Sequence, residues 1–304
     1  METTKSKFGM GWLPDYPDFR DYTKKQQKVS PKLKALGQKD SINAMLTKVG
    51  AGKPVKALPA SKDLREWCSP VENQGSLGSC TANACAGIVE YFERRAFGKY
   101  INASRLFLYK VTRNLLNQSG DTGATLRSTM GALVMFGVPP EDYWKYQIDD
   151  FDKEPSPFCY SMAQNYKAVT YYRLDPAGTT KDDLLKHIRT NLAVGLPSMF
   201  GFTVYNSISQ ADTSGKIPFP TSGEEIAGGH AIAAVGYDDK IKIKNTNQGG
   251  IETKGALLIR NSWGTGWGDN GYGWLPYEYV LQELAVDWWS LLKNDWVDTG
   301  AFGG

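Results

Sequence analysis

Cys80 stands in the run Gln74-Gly75-Ser76-Leu77-Gly78-Ser79-Cys80-Thr81-Ala82-Asn83-Ala84, with a helix-like stretch after it. That setting suits nucleophilic chemistry. A free thiol, with a pKa of about 8.5, attacks poorly at neutral pH, but a helix N-terminus and a nearby imidazolium both favour its thiolate. A cysteine with a distant histidine and asparagine is a sequence sign of a catalytic thiol. The chain has two histidines. His230 follows Gly228-Gly229 and opens an apolar run, and Asn261 lies downstream in Arg260-Asn261-Ser262-Trp263-Gly264. His230 can exchange a proton with the thiol. Asn261 can accept from a ring N–H and fix the tautomer without adding charge. The other histidine, His187, lies in Lys181-Asp182-Asp183-Leu184-Leu185-Lys186-His187-Ile188-Arg189. That reads as a charged amphipathic helix, so His187 is expected to be a solvated surface residue.

These groups need elements to hold them. Ala84, Ile88, Val89 and Phe92 recur at helical spacing after Cys80, and Ser79 is expected to cap that helix. A second helix is predicted over Leu126 to Phe136, ended by Gly137 and the prolines behind it, and a third over Lys181 to Leu192. Met199 to Tyr205, Ala231 to Tyr237 and Ala256 to Arg260 are short apolar runs that read as strands. Helices first and strands later indicate an α+β fold with a cleft between two halves. Residues 1–57 read as an N-terminal extension. Its stretch from Gly11 to Tyr22 is aromatic, proline-punctuated and extended. The stretch from 24 to 57 is lysine-rich, with a short helix expected near Ser41 to Val49. The extension is either loosely ordered or a pro-segment lying across the active site. Its aromatic residues favour docking, because disordered segments are poor in them.

Composition excludes several classes. The 304 residues, 41% hydrophobic and 22% charged, suit an ordinary globular protein with a sizeable core. A net charge of +3 gives no argument for nucleic acid, and no apolar run is long enough for a membrane span. The stretch from Met1 to Asp15 has no signal-peptide core, so classical export is not supported and the compartment stays open. Cys68, Cys85 and Cys159 accompany Cys80, which allows at most one intrachain disulfide if Cys80 is free. No metal or cofactor is expected, since there is no Cys-x-x-Cys pair and histidine is scarce. Gly266-Trp267-Gly268-Asp269-Asn270-Gly271 matches the dinucleotide-binding pattern. No helix start follows to hold phosphate, so it reads as a turn instead.

Three blocks, in order, resemble the papain-like cysteine proteases: Gln74 to Ala84, Gly229-His230-Ala231-Ile232-Ala233-Ala234-Val235-Gly236-Tyr237-Asp238, and Asn261-Ser262-Trp263-Gly264-Thr265-Gly266-Trp267-Gly268-Asp269-Asn270-Gly271-Tyr272. The resemblance covers about Leu58 to the end, and the short extension is similar to the bacterial branch of the family. It implies a papain-like catalytic domain over 58–304, with a helical half over about 58–165 and an antiparallel β half over about 166–304. It implies Cys80 as nucleophile, His230 as acid and base, Asn261 as orienting group and Gln74 as an oxyanion donor beside the Cys80 amide. Trp263 matches the tryptophan that covers the asparagine–histidine hydrogen bond. Gly123 and Ala124, in Gly120-Asp121-Thr122-Gly123-Ala124, match a glycine-rich cleft wall. With Gly229 and Trp263 they form the expected substrate-binding set, and Met199 to Phe202 are expected to line the pocket for the second residue before the cut, with a hydrophobic side chain there. The chain departs from the family at Leu77, where a disulfide cysteine is usual, at Thr81, where an aromatic is usual, and in its short pro-region.

The implied function is a cysteine endopeptidase acting on a peptide or protein substrate as a monomer, with its own N-terminal segment as intramolecular inhibitor. A thiol acyl-transferase (ligase or deamidase) would use the same residues. A non-catalytic peptide-binding scaffold would have lost one of them.

Overall fold

A computed structural model of the chain describes residues 9–52, 57–167 and 170–303. Two short helices come first, α1 (Pro31–Ala35) and α2 (Ile42–Lys48), each started by a serine whose hydroxyl accepts from a backbone N–H of the first turn. Strand β1 (Ser61–Asp63) leads into a helical half made of α3 (Cys80–Phe97), α4 (Arg105–Leu115), α5 (Leu126–Phe136) and α6 (Pro157–Ala163). The second half contains β2 (Thr170–Arg173), α7 (Lys181–Ala193), β3 (Ser198–Tyr205), β4 (Ile226–Lys244), β5 (Glu252–Arg260), β6 (Tyr272–Pro276), α8 (Tyr277–Leu281), β7 (Ala285–Leu292) and α9 (Asn294–Val297). The fold is α+β, with N-terminal helices and a C-terminal antiparallel sheet.

Helix α3 is buried continuously from Cys80 to Phe92. A helix apolar on every side belongs inside a core, and α3 packs between α4, α5 and the sheet. It stops at Gly98, whose φ of 70° supplies the left-handed C-terminal turn. Ser79 does not cap it. The residue has φ −97° and ψ 18°, and its hydroxyl accepts from no backbone N–H of the first turn; it bonds the Tyr146 hydroxyl at 2.6 Å and accepts from Asn83 Nδ2 at 3.0 Å instead.

The sheet runs β2-β7-β3-β4-β5-β6, and β1 pairs with β4 off this path. The long β4 changes partners along its length. Its first half pairs with β3, placing Phe202 opposite His230, and its second half pairs with β1 and β5. Helix α3 crosses β4, which brings the start of α3 to the Ala231 backbone.

Residues 9–52 of the extension are packed against the rest. Ile42, Met45 and Leu46 of α2 are buried in the common core. Trp12 is also buried, while Tyr16 and Phe19 face solvent. Asp15 and Asp21 both pair with Arg127, and the Arg173 backbone N–H bonds the Tyr22 carbonyl at 2.8 Å. The docking that the aromatic residues indicate is carried by Trp12 alone of these three. His187 is likewise not a solvated surface residue. The extension covers its face of α7, where Lys24 lies against its Nε2 and its Nδ1 is buried without a hydrogen-bond partner.

Candidate active site

Cys80 opens α3 and is fully buried. Its sulfur is approached by the backbone N–H groups of Ala231, Thr81 and Cys80 itself. On the sheet side, His230 Nε2 lies 2.8 Å from Asn261 Oδ1, which also accepts from the Ser262 N–H at 2.8 Å. An oxygen acceptor at Nε2 requires the proton there, so in the neutral ring Nδ1 is the lone-pair nitrogen. Nδ1 makes no hydrogen bond. The Trp263 ring stacks on the imidazole with centroids 4.6 Å apart, and Phe202 meets it edge-on at 5.9 Å. Asn261 is in turn held by its own N–H on the Gly271 carbonyl at 3.0 Å. The Gly266–Gly271 turn therefore supports the site, in keeping with its reading as a turn.

Gln74 is brought to the same place by a short cross-connection. Its backbone N–H donates to the Ser262 carbonyl at 2.8 Å, and Asn73 bridges to Trp263. Its side chain is fully buried. Oε1 accepts from Ser262 Oγ at 2.5 Å, and Nε2 donates to the Leu77 carbonyl at 2.8 Å. Two further residues belong to this frame and carry no sequence signal of their own. Ser262 fixes the Gln74 amide; only its place between Asn261 and Trp263 hints at it. The Tyr146 hydroxyl donates to the Gln74 carbonyl at 3.0 Å, and the Arg105 guanidinium lies 4.2 Å over the Tyr146 ring.

The expected substrate-binding residues all meet one occupant, the strap Gly9-Met10-Gly11-Trp12-Leu13. Its Gly9 N–H donates to the Gly75 carbonyl at 3.0 Å, and Trp263 Nε1 donates to the Gly9 carbonyl at 3.1 Å. The Gly229 carbonyl accepts from the N–H groups of both Gly11 and Trp12 at 3.2 Å. Across the cleft, the Ala124 N–H donates to the Gly11 carbonyl at 2.9 Å and the Leu13 N–H to the Ala124 carbonyl at 3.0 Å. Gly123 lies so near that a Cβ there would be 2.2 Å from the Gly11 carbonyl oxygen. Of the run Met199 to Phe202, Gly201 lies under the Trp12 ring. Phe200 turns away and stacks on Trp288 at 3.8 Å.

Burial shifts both reactive groups toward their neutral forms. It pushes the Cys80 thiol up to about 12, against the smaller opposing effect of the surrounding amides. It pushes His230 down to about 4, against the Asn261 hydrogen bond. Desolvation penalises whichever form is charged, so burial disfavours the thiolate and the imidazolium alike. All four cysteines are buried free thiols.

The papain family cysteine protease profile matches residues 58–282. The chain is similar to a peptidase C1-like protein of Acanthamoeba polyphaga mimivirus, 33% identical over 300 residues, covering 95% of this chain and 88% of the viral one. Thiol protease aleurain of Arabidopsis thaliana is 30% identical over 240 residues, covering 76% of this chain and 59% of aleurain. Among solved structures, xylellain, a cysteine protease from Xylella fastidiosa, superposes with a TM-score of 0.72 at 33% identity, over 96% of this chain and 98% of xylellain. With a fold, a cleft and a profile match that agree, the chain belongs to the papain family of cysteine proteases and is a papain-like cysteine peptidase.

Proposed function

We propose that the protein is a cysteine endopeptidase held latent by its own residues 9–13. In this reading Cys80 attacks a peptide carbonyl while His230 manages the proton. Asn261 keeps the ring in the tautomer whose Nδ1 faces the chemistry. The second amide N–H of Gln74 and the Cys80 backbone N–H steady the oxyanion, each contributing roughly 3 kcal/mol to the transition state. Loss of the amine, protonated by His230, leaves a thioester. Water activated by His230 then releases the acid and restores the thiol. Gly123, Ala124, Gly229 and Trp263 hold the substrate backbone.

The observation that carries latency is the strap. It takes hydrogen bonds of both cleft walls, and Cys80 is fully buried in the strapped chain. The test is labelling by a thiol-directed epoxide inhibitor, read by intact and peptide mass spectrometry. Removal of residues 1–14 is the suitable truncation, because removing 1–57 would also strip the buried α2 side chains from the core. The full chain is expected to stay unlabelled at Cys80. The truncated chain is expected to carry a single adduct there, absent in His230→Ala, and to hydrolyse peptides. A folded truncated chain with unmodified Cys80 overturns the proteolytic reading. Equal labelling of both forms overturns latency.

A further inference from the structure

We infer that Tyr146, Ser79 and Asn83 form a positioning network for the oxyanion site, one that aims the Gln74 side chain and the Cys80 backbone N–H together. The inference rests on the proteolytic reading and adds to it the residues that hold its two donors in place. Gln74 is pinned at both ends of its backbone. Its N–H donates to the Ser262 carbonyl at 2.8 Å, and its carbonyl accepts from the Tyr146 hydroxyl at 3.0 Å. The Cys80 N–H is aimed from the other side of its peptide bond. The Ser79 carbonyl accepts from Asn83 Nδ2 at 3.0 Å and from the Asn83 N–H at 3.1 Å. That carbonyl shares a planar peptide unit with the Cys80 N–H, so fixing one fixes the direction of the other.

A single contact joins the two grips. The Tyr146 hydroxyl lies 2.6 Å from Ser79 Oγ. A phenol has one hydrogen, and here Gln74 receives it, so Ser79 supplies the hydrogen of this bond. Ser79 Oγ in turn accepts from Asn83 Nδ2 at 3.0 Å. Asn83 Oδ1 accepts from Arg105 Nη1 at 3.3 Å, and Arg105 pairs with Glu141 at 2.9 Å. Every donor in the chain points the same way, from the Arg105 guanidinium to the Gln74 carbonyl, and hydrogen bonds so arranged strengthen one another. Gln74, Ser79 and Asn83 are buried, where an unpaired polar group is costly. The Ser79 hydroxyl, which does not cap α3, is committed to linking the two donors.

The test uses the chain lacking residues 1–14 and, beside it, the full chain carrying Gly11→Ala, whose Cβ would lie 2.2 Å from the Gly78 carbonyl oxygen and so displaces the strap. Tyr146→Phe and Ser79→Ala are made in each. The readouts are peptide hydrolysis, inhibition by a peptide aldehyde, and labelling of Cys80 by the epoxide. The Cys80 thiol adds to an aldehyde carbonyl and sets its oxygen against the oxyanion donors. An epoxide opens at a saturated carbon, so its rate reads the thiol and imidazole alone. Tyr146→Phe, which keeps the ring under Arg105, is expected to lower kcat and aldehyde affinity about 10-fold each, with KM and the epoxide rate changed less than about twofold. Ser79→Ala is expected to do the same, and the double variant to lose little more than either, since both break one chain. Unchanged kcat and aldehyde affinity in either variant, or an epoxide rate that falls in step with kcat, overturns the inference and leaves the protease reading intact. Parent chains that label at Cys80 but cleave no peptide overturn the protease reading, and the inference falls with it.

Discussion

Gln74 owes its orientation to Ser262. An amide can present either end, and the 2.5 Å bond from Ser262 Oγ commits Oε1 and so turns Nε2 toward the Leu77 carbonyl. Ser262→Ala, measured in a chain freed of its strap, is expected to lower kcat by roughly tenfold with KM little changed, since the donor matters most when the oxyanion forms. Steady-state kinetics check it; a change confined to KM would contradict the assignment. Cys80, His230, Asn261 and Gln74 were legible in the sequence because each sits in a distinctive local run. Ser262 and Tyr146 were not, because a hydroxyl has no spacing rule and gains its role only from what the fold sets beside it. His187 was misread for the same kind of reason: its own helix looks solvated, and the residue that covers it, Lys24, is far away in the chain.

At the scale of elements, the strap works because two of its residues have no side chain. A Cβ on Gly11, whose φ is 132°, would lie 2.2 Å from the Gly78 carbonyl oxygen, and one on Gly9 would lie 2.5 Å from that of Leu77. Gly11→Ala should therefore displace the strap in the intact chain. Water then reaches Cys80, the desolvation that holds the thiol near 12 is relieved, and its pKa falls. Iodoacetamide alkylation followed against pH is expected to be slow through pH 9 in the wild type. It should be faster in Gly11→Ala, with a midpoint moved to lower pH. Identical profiles would show that the strap does not govern the thiol. The helices α3, α5 and α7 were legible from apolar spacing. Helix α4 was not, because Arg105, Lys110 and Arg113 lie on it and yet are buried. Glu141 pairs with Arg105, and Asp152 with Lys110 and Arg113. Such charges read as a solvated face until their partners are known.

For the whole molecule, burial of His187 predicts a pH dependence of stability. Burial holds its folded pKa at about 4, below the ordinary 6.5, with Lys24 and Lys186 adding to the shift and Asp183 opposing it. Between those values the unfolded chain binds a proton that the native chain does not, so this residue makes stability rise with pH and fall on acidification from about 6.5 to 4. Relative to the wild type, His187→Gln should lose less stability over that window, on the order of 1–2 kcal/mol after allowance for its partial exposure. Parallel urea titrations at pH 7 and pH 4.5 check this. An unchanged gap between the two proteins would contradict it.

The sequence by itself marked the candidate reactive groups and determined the fold class and the order of the main helices and strands, because local spacing encodes helix starts, strand runs and a family's motifs. Only the tertiary structure decided that the strap takes hydrogen bonds of Gly229 and Ala124, and that Cys80 and His230 are both buried. Each of these depends on groups brought together from distant parts of the chain. Their energies come from desolvation and contact across that distance, which no local pattern records.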